Sequence, residues 1–189
     1  MDKTIRRAQL AAFLFTAIAG TLLHFTYDAF PDFPLTAVVS SVNESVWEHM
    51  KLLYFPMLAA ALTQRIVFGA RRQDFWCIKL LGILTGLFLI PALYYLYAGA
   101  LGIHLTWFDI SIFYIAAAAV YLLETHLFMN EPQFACRFSR AAMLLCIALA
   151  FVFLYFTYFP PQLPIFRDPV TQTYGLPNVG ITMMCDKRK

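Results

Sequence analysis

Five apolar runs, each near twenty residues long, constrain this chain more than any other feature. They are "AQLAAFLFTAIAGTLLHFTY" (about 8 to 27), a second run from about 45 to 69, and "CIKLLGILTGLFLIPALYYLYAGA" (about 77 to 100). "FDISIFYIAAAAVYLLETHLFM" (about 108 to 129) and "AAMLLCIALAFVFLYFTYF" (about 141 to 159) complete the set. A bilayer core about 30 Å thick is crossed by roughly 20 helical residues, so each run is long enough to span. Only 13% of the 189 residues are charged, against about 25% in a soluble domain, which could not hide so much oil. The expected fold is all-α: a transmembrane bundle of five helices over residues 1–159, with an extracytoplasmic tail over residues 160–189.

Orientation follows from where Lys and Arg lie relative to the runs. Lys3, Arg6 and Arg7 precede the first; Arg65, Arg71, Arg72 and Lys79 flank the second connection; Arg137 and Arg140 lie before the fifth. With five spans all of these fall on one side, and Asp28, Asp32, Glu44 and Asp109 fall on the other. The N-terminus is therefore expected inside a bacterial plasma membrane and the tail outside, the terminal "KRK" being the one dissenting group. The basic residues are dispersed among loops, so nucleic acid is not an expected partner. Cys77, Cys136, Cys146 and Cys185 form no CxxC pair and read as free, mostly buried thiols. Gly82 and Gly86 make a GxxxG pair suited to close helix packing.

Most of the conspicuous polar residues belong to the outer end. His24 lies roughly 5 Å inside the first helix, and Glu48 and His49 lie about a turn inside the second, at similar depth. Asp109 opens the fourth helix, and His104 precedes it. A carboxylate inside the hydrocarbon edge is costly and normally faces a bundle interior or a watery cavity. His24, Glu48, His49 and Asp109 thus form a mixed N/O donor set suited to a divalent metal such as zinc, or an acid/base group with His49 as base. Asn43, Glu44, Lys51 and Arg167 are placed to bind the headgroup of a lipid or lipid-linked substrate.

Structural alternatives stand beside each of these. Ser41 and Glu44 in "SVNE" fit a capping box, Lys51 pairs with Glu48 or snorkels outward, and Trp47 reads as an interface anchor. Glu124 and His126 read as an interfacial pair at the inner end, near Asn130 and Glu131. The tail "PPQLPIFRDPVTQTYGLPNVG" is full of turn formers yet carries Ile165, Phe166 and Tyr174, so an ordered irregular flap over the outer mouth is expected.

"LHFTYD", "VNESVWEHMKLLYFPML" and "PPQLPIFRDPVTQTYG", in this order and spacing, resemble an uncharacterised family of small bacterial polytopic membrane proteins. That resemblance covers nearly the whole chain and implies a five-helix bundle with no assigned activity. "NESVWEH" also looks like the opening motif of the progestin and adipoQ receptor family of zinc-containing membrane hydrolases. That likeness spans about seven residues, and the HxxxH pair of that family is missing here. The leading expectation is a membrane-embedded, metal-assisted site facing outward and acting on a lipid. A small ion-coupled carrier, or an accessory subunit with a purely packing polar cluster, are the alternatives; the odd span number and lack of a repeat speak against the carrier.

Overall fold

The computed structural model describes residues 2–30, 33–102, 105–130, 136 and 138–176; Asp32, His104, Glu131, Arg137, Cys185 and the terminal KRK lie outside the described residues. The protein is all-helical, with α1 (Asp2–Ala29), α2 (Pro34–Val39), α3 (Val46–Val67), α4 (Phe75–Leu101), α5 (Thr106–Asn130) and α6 (Ser139–Tyr158). Single 3-10 turns occupy Gly69–Arg71 and Pro164–Phe166. Among the described residues, β pairing is confined to one antiparallel bridge between Arg167 and Tyr174.

Four of the helices, α1, α4, α5 and α6, are long and apolar enough to cross a membrane. Their outer faces carry large exposed side chains, including Phe15, Ile18 and Leu22 on α1, Phe88 and Leu96 on α4, and Leu144 and Phe151 on α6. A water-soluble protein rarely shows apolar surface on this scale, because burying it is the main driving force of folding. The fifth long helix, α3, differs in kind. It carries Glu48, Lys51 and Arg65, which lowers its hydropathy, yet Glu48, Lys51 and Gln64 are all buried.

Helix α3 touches each of the other long helices. Helix α1 packs against α3 and α5, and α4 packs against α3, α5 and α6, so α1, α3, α4 and α5 close a ring with α6 along its outside. Two glycines permit the close approaches. A Cβ at Gly86 would crowd Leu53 and Val120, and one at Gly82 would overlap the Glu124 carboxylate. The GxxxG pair therefore serves packing, and it also makes room for a charge.

That charge corrects the expected interfacial placing of Glu124. Glu124 is fully buried and ion-paired with Lys79, which is equally buried on α4. Gln9 and Gln64 lie buried alongside, joined to each other by a 3.0 Å hydrogen bond. Only His126 is exposed as expected, bonded to Asn130. The two ionic partners are 45 residues apart, and nothing local announces the pair. The cysteines need a correction as well. Cys77, at the start of α4, is disulfide-bonded to Cys136, before α6, with Cα atoms 6.3 Å apart across 59 residues of sequence. Cys146 alone is free and buried among the described residues.

Candidate metal centre

The opening of α3 sets the site. Its N-cap is Ser45, whose hydroxyl accepts from the Glu48 backbone N–H at 3.4 Å. The S-x-x-E cap is thus Ser45–Glu48, one turn later than the Ser41–Glu44 pair expected from the sequence. The difference matters chemically. Glu48, inside the helix, turns inward, whereas Glu44, ahead of it in an irregular stretch, keeps an exposed side chain.

Three donors converge here from two elements and the segment that precedes one of them. His24 comes from α1, His49 from α3, and Glu44 from the stretch before α3; one ligand atom of each lies within 4.8 Å of the other two. His24 Nε2 is 3.7 Å from Glu44 Oε1, and His49 Nε2 is 3.6 Å from Glu44 Oε2. The two imidazole rings are 5.5 Å apart. These separations exceed a hydrogen bond and are close to the roughly 3.4 Å between donors around a tetrahedral zinc.

The far side of each ring settles which nitrogen is free. His49 Nδ1 donates to the Ser45 carbonyl at 2.9 Å. Ser41 Oγ spends its own proton on the His24 carbonyl and accepts from His24 Nδ1 at 3.0 Å. Both rings are thereby held with an Nε2 lone pair aimed at the shared carboxylate. This is how metal-binding histidines are oriented, one nitrogen tethered to an acceptor and the other presented to the ion.

The remaining expected site residues fall into two groups. Asp109 stays near: it accepts a hydrogen bond from Tyr97 and lines a small cavity with Glu44, His49 and Tyr94. It is not one of the three clustered donors. Glu48 is committed elsewhere, with Oε2 2.6 Å from Lys51 Nζ and 3.0 Å from the Val42 N–H. Lys51 does not snorkel to the surface: it is fully buried and also donates to the Ala37 carbonyl and to Thr157 Oγ1. Asn43 Nδ2 donates to the Gly175 carbonyl, so it clips the tail. Arg167 is exposed on that tail with no ion-pair partner among the described residues.

A second cavity reaches the histidines from the side. It holds about 90 Å³ and is lined by Gly20, Phe25, Ile110, Phe113 and Tyr114 with His24 and His49. Thr21 and Tyr114, bonded hydroxyl to hydroxyl, mark its rim between α1 and α5. Above, the tail is anchored by Phe166, which stacks at 4.6 Å on Trp47. Trp47 is therefore a dock for the tail, half-buried between Phe153, Phe156 and Phe166, rather than the expected interface anchor.

Four apolar helices of spanning length, packed with a fifth long helix that buries Glu48, Lys51 and Gln64, define the class: a multi-pass helical membrane protein. Within it, the chain belongs to a family of unknown function (DUF6512), whose sequence profile matches residues 3–176. The match runs through the five long helices and the described part of the tail. Comparison with curated proteins and with solved structures finds no match.

Proposed function

We propose that this protein is a multi-pass enzyme of a bacterial plasma membrane that uses a divalent ion, zinc being the best fit, to hydrolyse a lipid or lipid-linked substrate. The observation that carries the proposal is the arrangement of His24, Glu44 and His49, two tethered imidazoles facing one carboxylate. Two nitrogens and one oxygen would hold a divalent ion with the donor set of catalytic zinc sites, where the metal would supply an activated water. Asp109, in the adjoining cavity, is the carboxylate placed to take the proton of that water. With the ion bound, that water would add to an ester or amide carbonyl, the C–O or C–N bond would break, and the proton held on Asp109 would pass to the leaving alcohol or amine. The apolar side cavity between α1 and α5 favours an acyl-bearing substrate arriving from the bilayer.

In this reading α3 is the fifth span, the basic end faces the cytoplasm, and the site and residues 160–189 face outward. Residues 1–159 form the membrane domain. Arg167 and Asn43 sit at the mouth, where Arg167 meets an anionic headgroup. Lys51 and Glu48 support the site by holding α2, α3 and α6 together, as the bonds to Ala37 and Thr157 require.

The test is the metal content of the full chain purified in mild detergent without chelator, joined to release of fatty acid from fluorogenic lipid esters. One zinc per chain, lost with activity on chelation and restored by added zinc, is expected. A metal-free protein that takes up no zinc would leave His24, Glu44 and His49 as a polar clasp and overturn the reading.

A further inference from the structure

At the opposite, basic end, the wall between α1 and α5 carries a second groove that shares no residue with the metal centre. It encloses about 300 Å³ and is lined by Arg6, Gln9, Leu10 and Phe13 of α1 and by Leu122 and Thr125 of α5, among others. We propose that this groove binds an anionic phospholipid, with its phosphate on Arg6 and an acyl chain along Leu10, Phe13 and Leu122.

The argument is the order of the lining. Arg6 is exposed in the first turns of α1 together with Lys3 and Arg7, and none of the three has an acidic partner among the described residues. Among the described residues its guanidinium makes one weak bond, from Nε to Met129 Sδ at 3.2 Å, so most of its donors remain available. One turn deeper stands Gln9, only 2% exposed, whose Oε1 accepts from Gln64 and whose amide faces the buried Glu124 carboxylate, so the polar layer beneath Arg6 is closed within the protein. Beyond Gln9 the lining is almost wholly apolar. Charge and then oil thus follow one another inward, as phosphate and acyl chain do in the leaflet.

The experiment is native mass spectrometry of the full chain in mild detergent, titrated with phosphatidylglycerol or with phosphatidylcholine of the same acyl chains. A single phosphatidylglycerol adduct is expected at about tenfold lower concentration than the phosphatidylcholine adduct, as charge-assisted bonding to Arg6 predicts. Arg6→Gln should abolish that preference. Leu122→Trp, which fills the groove from an exposed position, should weaken both lipids, whereas Leu96→Trp on the exposed face of α4 should weaken neither. Equal binding of the two lipids by the wild type, or wild-type binding by both Arg6→Gln and Leu122→Trp, would overturn the proposal. Neither variant touches His24, Glu44 or His49, so the zinc content is unaffected whichever way this test falls.

Discussion

Glu44 and Glu48 stand four positions apart and have opposite fates. Glu48 is 3% exposed and sealed against Lys51; Glu44 reaches two histidines with a side chain that is 47% exposed. Glu48→Gln leaves the buried Lys51 ammonium without its counter-charge, and removing one partner of such a pair costs about 3–5 kcal/mol. The expected phenotype is a lowered melting temperature with full zinc occupancy. Glu44→Gln, His24→Ala and His49→Ala should behave in the opposite way, keeping the fold while binding zinc at least tenfold more weakly, since each deletes a donor and no buried pair. Isothermal titration with zinc alongside thermal melting separates the two outcomes. A Glu48→Gln protein that folds normally but loses zinc would place the carboxylate ligand at 48.

At the scale of helices, stability depends on charges buried between elements. Lys79 of α4 and Glu124 of α5 close against Gly82, which has no side chain to obstruct them. Gly82→Ala forces the Glu124 carboxylate to move, and overpacking of this kind costs about 1–3 kcal/mol. The same change at Gly99, where a Cβ meets nothing within 4 Å, should leave the melting temperature close to that of the wild type. The Cys77–Cys136 bridge ties the start of α4 to the segment before α6, at the end where Arg65, Arg72 and Arg140 line a shared cleft. Disulfides persist on oxidising sides of membranes, while Lys and Arg concentrate on the cytoplasmic side. With the proposed orientation the pair should be thiols in intact cells and oxidise on exposure to air. Alkylation of cells before lysis checks this, and a disulfide already present would put the basic end outside.

For the whole molecule, the tail and the basic end make opposite topological predictions. Val170, 75% exposed on the tail, and Gln73, beside the basic cleft, are each suitable for single-cysteine labelling in a cysteine-free background. An impermeant maleimide should modify position 170 in intact cells and reach position 73 only after permeabilisation. The tail itself is held by Phe166 on Trp47, by Asn43 on Gly175 and by the Arg167–Tyr174 bridge. Phe166→Ala removes the stacked ring, worth about 3–5 kcal/mol when buried. Cleavage at Arg167 by trypsin should then go from slow to fast. Equal rates in the two proteins would show that the tail does not depend on this dock.

The sequence by itself determined the helices and the two ends of the molecule. Twenty-residue apolar runs can satisfy their backbone in oil only as helices, and loop charges between them alternate in sign whatever the packing. Histidines 24 and 49 were also legible as partners, because span lengths put them at one depth. Which carboxylate joins them was decided only by the tertiary structure. A one-turn shift of the cap from Ser41 to Ser45 turned Glu48 into the core and left Glu44 free, a shift that both S-x-x-E patterns allow equally. The Lys79–Glu124 pair and the Cys77–Cys136 bridge were likewise decided in three dimensions. They join residues 45 and 59 positions apart, and local pattern carries no information about which distant helix a side chain will meet.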